Sequence, residues 1–285
     1  MVREITIGLL LGTMLIACSP PSLQGKTFLA GPAQAPTWVV NQRDTVLEIA
    51  YGSGTHFPQY GALHLESSYF RLNYGPNSEW GTSIILLPAF WSNGVYHQGA
   101  PITASWKVMG SNLQLAITGT IASLSVRAQV DLFPPAAESM SAQVAVTVEG
   151  SVPLDSRPGE AFKPVMLSSM HISPTIWDTQ AAFAGCQTWP IPESGWLIPP
   201  TPPVSTSFFG LLGGTSEWKP NAPTIWIVMD RPMQVAGWVT ASHDPNDDNV
   251  GLWAAAEAVL PSWRYRIIAL SGTHIHCSVI PLILK

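Results

Sequence analysis

The chain has 285 residues, a net charge of −5, and only 11% charged residues, against about a quarter in ordinary globular domains. It has no basic patch, which argues against nucleic acid as a partner. It also lacks a phosphate-binding Gly-Lys loop, a dinucleotide fingerprint, a Gly-x-Ser-x-Gly elbow and a His-Glu-x-x-His motif, which argues against nucleotide binding and against two common hydrolase types. Its compositional outliers are 12 tryptophans and 26 prolines.

Residues 1–17 have the layout of a secretory signal peptide, because a short polar start precedes an apolar run over residues 5–16. The run is shorter than the roughly 20 residues that a membrane-spanning helix needs, so it predicts a cleaved leader. The leader ends in a motif that resembles the lipobox of bacterial lipoproteins, Leu15-Ile16-Ala17-Cys18.

The resemblance implies that Cys18 is lipidated and becomes the first residue of the mature protein. Acyl chains contribute about 0.8 kcal/mol per buried methylene, so more than one chain gives a stable anchor. The protein would then be extracytoplasmic and held at the cell membrane or outer membrane. The alternative is an ordinary signal peptide with a chance cysteine.

The Pro-, Gly- and Ser-containing stretch over residues 18–36 predicts a lipidated tether. Residues 37–285 then form a single β domain, with a subdivision near residue 155 as the alternative. Short runs of branched and aromatic residues between turn residues predict strands at residues 45–51, 62–66, 69–74 and 83–90.

The clearest pattern lies between residues 101 and 150, where apolar residues alternate with polar ones through four runs. This period predicts an antiparallel meander with one buried face. Residues 151–203 are irregular and rich in proline, which excludes the proline-containing pieces from central strands. Strand character returns at residues 224–229, 234–241, 262–270 and 274–284, while residues 250–260, ended by Pro261, predict one short helix.

This pattern predicts an all-β fold, a large sandwich of two antiparallel sheets with one short helix. The architecture resembles the super-sandwich shared by sugar mutarotases and some polysaccharide lyase domains, although no motif of those enzymes occurs in the chain.

One candidate site lies in residues 157–178, where ionisable groups and a tryptophan gather in an otherwise charge-poor, irregular segment. Irregular segments on a β scaffold often carry function, and a His beside a carboxylate can perform general acid/base chemistry on a glycan. The candidate catalytic residues are Glu160, Lys163, His171 and Asp178, with Trp177 as a binding residue. The alternative is an ion-paired crossover loop.

A second cluster, between residues 56 and 97, mixes aromatic rings with titratable groups. Rings stack on the apolar faces of sugars, and ionisable groups bind the hydroxyls. In a strand, His64 and Glu66 share one face because they are two residues apart. The candidate substrate-binding residues are His64, Glu66, Arg71, Trp80, Trp91 and His97. The alternative places the aromatic residues in the core and the polar ones on a solvated face.

Two further features concern cations and sulfur. Asp244, Asn246 and Asp248 alternate in a loop as oxygen ligands do in calcium sites, so structural calcium is the candidate cofactor, with a solvated turn as the alternative. Cys186 and Cys277 can pair in an oxidising compartment, or they are two separate buried thiols.

The sequence therefore predicts a lipid-anchored β-sandwich protein that binds carbohydrate through an aromatic-rich face. The predicted partners are a membrane, through the lipid, and a polysaccharide or glycan. One alternative is a carbohydrate-active lyase, hydrolase or mutarotase-like enzyme, and a second is a structural or assembly protein of the cell envelope.

Overall fold

The computed structural model consists of antiparallel β-strands in two sheets. The structure describes residues 35–56, 58–74, 80–136, 139–155, 165–167, 171–173, 179–190, 195–196, 204–213, 224–241 and 249–270. The predicted all-β fold with two antiparallel sheets is confirmed, and the sheet arrangement is that of a sandwich. Residues 34–285 form one compact unit, while the predicted boundaries at residues 17, 36 and 155 stay predictions.

In chain order the strands are β1 (Thr37–Arg43), β2 (Val46–Gly52), β3 (Gln59–His64), β4 (Tyr69–Tyr74), β5 (Trp80–Ile85), β6 (Ala89–Ser92), β7 (Val95–His97), β8 (Ile102–Met109), β9 (Asn112–Ile121), β10 (Leu124–Leu132), β11 (Ser139–Glu149), β12 (Val165–Met166), β13 (His171–Ser173), β14 (Thr179–Ala184), β15 (Gln187–Pro190), β16 (Gly195–Trp196), β17 (Val204–Gly213), β18 (Thr224–Ala241), β19 (Asn249–Ala256) and β20 (Ser262–Leu270).

The smaller sheet has six strands in the order β1-β2-β3-β4-β5-β13. Its inner face is apolar because alternate residues point to opposite sides of a strand. In β4, for example, Phe70 and Leu72 are fully buried while Arg71 between them is only half-buried. The outer face of this sheet therefore carries the polar residues.

The larger sheet has fourteen strands and contains the predicted meander at one end, where β11, β10, β9 and β8 follow one another. In β10, the alternate residues Leu124, Val126, Ala128, Val130 and Leu132 are buried, while the four residues that separate them are exposed or half-buried. The antiparallel order of the predicted meander is confirmed, and these side chains pack with the inner face of the smaller sheet in one core. The predicted burial does not extend along β8, where Trp106 is 40% and Val108 53% exposed.

Two buried side chains tie the sheets together through hydrogen bonds. The Tyr60 hydroxyl, on β3, donates to the Phe133 carbonyl at 2.9 Å and lies 3.0 Å from the Ser141 carbonyl. The Trp38 indole N–H, on β1, donates to the Ser111 carbonyl at 2.7 Å. These bonds join the smaller sheet to the turns and strand ends of the meander.

The two predicted strands at residues 224–229 and 234–241 form one long strand, β18. Its first part pairs with β20 and its second part with β19, while β17 pairs with both parts. Pro232 lies between the two parts, where its missing N–H interrupts no ladder bond. One strand thus links the meander half of the sheet to the half that contains β19, β12, β6 and β7.

The helix predicted for residues 250–260 is wrong, because β19 covers most of that segment. Leu252 and Ala254 are buried in the core, and β19 pairs with β18 on one edge and with β12 on the other. Cross-strand pairing on both edges outweighs the weak helix preference of the alanine-rich sequence. The prolines of residues 151–203 that the structure describes agree with the prediction, since Pro190 ends β15, which pairs only with β14.

Candidate functional sites

The predicted cluster between residues 56 and 97 is divided between two surfaces. The first is the outer face of the smaller sheet, which we call the polar face and define by His64, Tyr69, Arg71, Asn73 and Ser83. The second is a pair of aromatic rings on the β6–β7 hairpin, at the edge of the larger sheet.

The strand register places the polar-face residues beside one another. Arg71 pairs with Ala62 on one side and with Ser83 on the other, and His64 pairs with Tyr69. Directly paired residues of antiparallel strands share a face. The chain therefore presents a cation, a hydroxyl, a phenol and an imidazole on one side of the sheet.

Arg71 is the most constrained side chain of the polar face. Its Nε donates to the Asn73 Oδ1 at 2.9 Å, and Asn73 itself is only 4% exposed. The guanidinium lies against Gly81, where a Cβ would be 2.7 Å from Nε and 2.9 Å from Nη2. In the part of the chain that the structure describes, no carboxylate forms an ion pair with Arg71.

Tyr69 joins the polar face to the chain segment after β7. The Gln98 side-chain N–H donates to the Tyr69 hydroxyl at 2.9 Å. Burial raises the pKa of Tyr69 above its ordinary value, and the bond from Gln98 opposes part of that rise. The phenol is therefore protonated at neutral pH and can act as a hydrogen-bond donor, not as a base.

The pairing of β13 with β5 places the backbone of one residue from the first predicted cluster next to β5. His171 pairs with Ser83 in the backbone register, so the row runs from Arg71 through Ser83 to His171. Two strand spacings of about 4.8 Å separate the backbones of Arg71 and His171 by roughly 10 Å. The other members of that cluster, Glu160, Lys163, Trp177 and Asp178, lie outside the described residues.

Glu66 does not share a strand face with His64, which corrects that expectation. Strand β3 ends at His64, and Glu66 is exposed in the turn that leads to β4. The turn is fixed by the left-handed backbone of Ser68, whose φ is 52°, and by a hydrogen bond from the Ile102 N–H to the Leu65 carbonyl. Period-two alternation does not apply beyond the end of a strand.

Trp91 and Tyr96 are directly paired on β6 and β7, and their ring centroids are 5.4 Å apart at an interplanar angle of 38°. Tyr96 is 40% exposed and Trp91 is half-buried. The Tyr96 hydroxyl donates to the Met166 sulfur of β12 at 3.8 Å. We call Trp91, Tyr96 and Met166 the aromatic platform.

The hairpin under the aromatic platform is held in place at its tip. Asn93 and Gly94 have φ of 52° and 73°, as the two central residues of a type I′ turn require. The Gly94 N–H donates to Asp155 Oδ2 at 2.6 Å, and the Asp155 N–H donates to the Trp91 carbonyl at 2.9 Å. Asp155 therefore fixes both the turn and the strand that carries Trp91.

His97 and Trp80 complete the set of predicted binding residues. His97 is half-buried and pairs with Phe90, with ring centroids 5.2 Å apart, so it lies on the opposite side of the hairpin from Trp91. Trp80 begins β5 and pairs with Tyr74 in the backbone register. Neither residue belongs to the aromatic platform.

Sequence reasoning did not assign Tyr69, Ser83, Gln98 or Asp155 to a site. The sequence pattern could have identified Tyr69, because it lies two residues before Arg71 in a predicted strand and therefore on the same face. The Asn93-Gly94 pair is a strong hairpin signal that would have placed Trp91 near Tyr96. No local pattern marks Asp155.

Several predicted features lie outside the described residues. They are the lipidation site Cys18, the calcium ligands Asp244, Asn246 and Asp248, and Cys277. Cys186 is exposed in the turn between β14 and β15, and its bridge to Cys277 stays a prediction. Among the described residues, no three His, Cys, Asp or Glu side chains are grouped to hold a metal, and no helix has the length and apolarity to span a bilayer.

No protein-family model matches the chain, and no curated protein matches it either. Among solved structures, the alpha-N-acetylgalactosaminidase NagBb from Bifidobacterium bifidum in its GalNAc complex is similar at a TM-score of 0.46 and 10% identity, over 83% of this chain and 36% of that one. Its Gal-NHAc-DNJ complex gives a TM-score of 0.39 and 9% identity over the same shares.

The Slr1438 protein from Synechocystis sp. PCC 6803 is similar at a TM-score of 0.38 and 10% identity, over 84% of this chain and 97% of that one. The chain thus spans 36% of the length of the galactosaminidase.

Proposed function

We propose that the chain is a lipid-anchored extracytoplasmic protein that binds carbohydrate through the aromatic platform. The observation that carries the proposal is the contact of two partly exposed rings, Trp91 and Tyr96, on a hairpin fixed by Asp155. Aromatic rings offer apolar faces that match the C–H faces of sugars.

Rigidity supports a binding role for this surface. A ring that is already held in place loses little conformational freedom when a ligand arrives, so less of the interaction energy is spent on ordering. The contact between Tyr96 and Met166 and the two bonds from Asp155 supply this order.

The lipid anchor and the extracytoplasmic location rest on the lipobox resemblance at Cys18. They suit a glycan-binding role, since the polysaccharides of a cell envelope are found on that side of the membrane. Metabolic labelling with a fatty-acid analogue tests the anchor directly. Incorporation should occur in the wild-type chain and be lost in Cys18→Ala, and equal labelling of both would contradict the proposal.

A carbohydrate-active enzyme is the second candidate, and it is favoured by the row from Arg71 through Ser83 to His171. In this case His171 would act as general acid or base, and Arg71 would position the substrate. The aromatic platform would then serve as an accessory binding surface.

One experiment separates the two candidates. The full chain is mixed with a panel of soluble polysaccharides, retardation in gels that contain each polymer reports binding, and new reducing ends report cleavage. Retardation that Trp91→Ala abolishes, without new reducing ends, supports a binding protein. New reducing ends that His171→Ala abolishes support the enzyme, and the absence of both signals with every polymer contradicts both candidates.

A further inference from the structure

The polar face contains a cation that lacks the counter-charge expected for its burial. Arg71 is half-buried on the outer face of the smaller sheet, while its sequence neighbours Phe70 and Leu72 are fully buried on the opposite face. Charged groups withdrawn from water are normally paired, because desolvation of an unpaired ion is costly. In the described part of the chain Arg71 bonds only to the neutral amide of Asn73.

The arginines that do form an ion pair in the described part of the chain bind carboxylates at the surface. Arg43 pairs with Glu48 at 3.2 Å, and Arg127 lies 3.8 Å from Glu149. Glu48 lies on β2, in the same sheet as Arg71, but its carboxylate is already paired with Arg43.

The guanidinium of Arg71 is also held in one orientation. Asn73 is buried and accepts from Nε, and the absence of a side chain at Gly81 leaves room for Nη2. With Nε occupied, the terminal N–H groups are the donors left for a ligand. Two parallel N–H donors match the two oxygens of a carboxylate or of another oxyanion.

Ser83 stands beside Arg71 in the register and is half-buried. A hydroxyl can donate to one oxyanion oxygen or accept from a neighbouring sugar hydroxyl. We infer that the polar face contains an oxyanion site at Arg71 and Ser83, which takes the carboxylate of an acidic sugar or a free inorganic oxyanion. The site lies on a different sheet from the aromatic platform and does not depend on it.

Small probes test the site without engaging a long binding surface. Isothermal titration of the full chain uses galacturonic acid, its methyl ester, galactose and sodium sulfate. The ester keeps the ring and removes the charge. We expect saturable binding of galacturonic acid, and affinity at least about tenfold lower for the ester, which corresponds to one charge-assisted bond.

Three variants connect the binding to Arg71. Arg71→Gln should abolish it, and Arg71→Lys should weaken it because an ammonium lacks the planar fork. Gly81→Ala should also weaken it, since the new Cβ displaces the guanidinium. Arg127→Gln, which removes an exposed arginine from the meander, is the matched control and should bind as the wild type does.

The outcomes are distinct. Binding of galacturonic acid that needs Arg71 supports an acidic-sugar ligand, and binding of sulfate alone supports an inorganic oxyanion at the same site. Absence of binding by all four probes, or equal binding by wild type and Arg71→Gln, overturns the inference. Protection of Arg71 from phenylglyoxal by galacturonic acid, mapped by mass spectrometry on the wild type, gives a second answer that requires no folded variant. Sulfate has no apolar ring face that could stack on the aromatic platform, so the sulfate titration reports on Arg71 alone, and failure here is separable from failure of the aromatic platform.

Discussion

Two buried tyrosines allow the same substitution to be compared at a hydrogen-bonded hydroxyl and at one without a partner among the described residues. Tyr60 is 2% exposed and its hydroxyl donates to the Phe133 carbonyl at 2.9 Å. Tyr265 is 3% exposed, and its hydroxyl has no hydrogen-bond partner among the described residues. Replacing each by phenylalanine removes one oxygen atom and keeps the ring.

In Tyr60→Phe, the Phe133 carbonyl loses its donor inside the protein. The net value of a hydrogen bond is about 1 kcal/mol, and an acceptor left buried without a partner adds desolvation cost, so the total is about 1–3 kcal/mol. The bond also joins the two sheets, so the loss affects the whole domain. A loss of about 2 kcal/mol lowers the melting temperature by roughly 4–8 °C in a domain of this size.

In Tyr265→Phe, the buried hydroxyl that is removed had no protein partner to lose. Burial of an unpartnered hydroxyl is unfavourable, so the change should be neutral or should stabilise the fold by up to about 1 kcal/mol. Urea unfolding followed by circular dichroism measures both variants against the wild type. Equal destabilisation by the two substitutions would refute the reasoning, because it would mean that the Tyr265 hydroxyl also makes a favourable bond.

The same two phenols make the fold sensitive to alkali, because burial raises the pKa of each above the ordinary 10.0. The free energy of unfolding is therefore unaffected by their ionisation below pH 10. Above pH 10 it declines by about 1.4 kcal/mol per pH unit for each group. Tyr265→Phe should reduce the slope of stability against pH, measured from urea midpoints between pH 9 and 11, and an unchanged slope would contradict this. Gly210→Ala should destabilise the fold by more than about 3 kcal/mol, since its Cβ would overlap the Ile225 carbonyl, and a thermal midpoint within 2 °C of the wild type, on the order of 1 kcal/mol, would disprove the packing assignment. If Cys186 and Cys277 pair, peptide mapping without reductant should recover the two cysteines in one cross-linked species, and their recovery as separate alkylated peptides would contradict the pairing.

The sequence predicted those elements in which local alternation and tertiary burial agree. Strand β4 has the predicted bounds, and β10 shows the predicted alternation, because each has one face in the core. The segment around Ala254 failed because its local preference is helical, while its environment is a sheet interior. Local pattern alone cannot report the neighbours of a strand.

The candidate sites depend on contacts between residues distant in sequence, which periodicity does not encode. The pairing of His171 with Ser83 and the bond from Gly94 to Asp155 are of this kind. The division of the aromatic and ionisable cluster between two sheets is another example, since Arg71 and Trp91 both read as binding residues from composition alone. Only the strand order separates them.

The most direct test of the proposed function is the affinity of the full chain for the polysaccharide that retards it most, measured by isothermal titration for the wild type, Trp91→Ala and Trp106→Ala. Trp106 is 40% exposed on β8 and lies outside the aromatic platform, so its variant controls for the loss of any accessible tryptophan. We predict that Trp91→Ala weakens binding by at least about tenfold, the loss of roughly 1.4 kcal/mol expected at a central contact residue, while Trp106→Ala binds as the wild type does. Equal affinities for all three proteins would contradict carbohydrate binding by the aromatic platform.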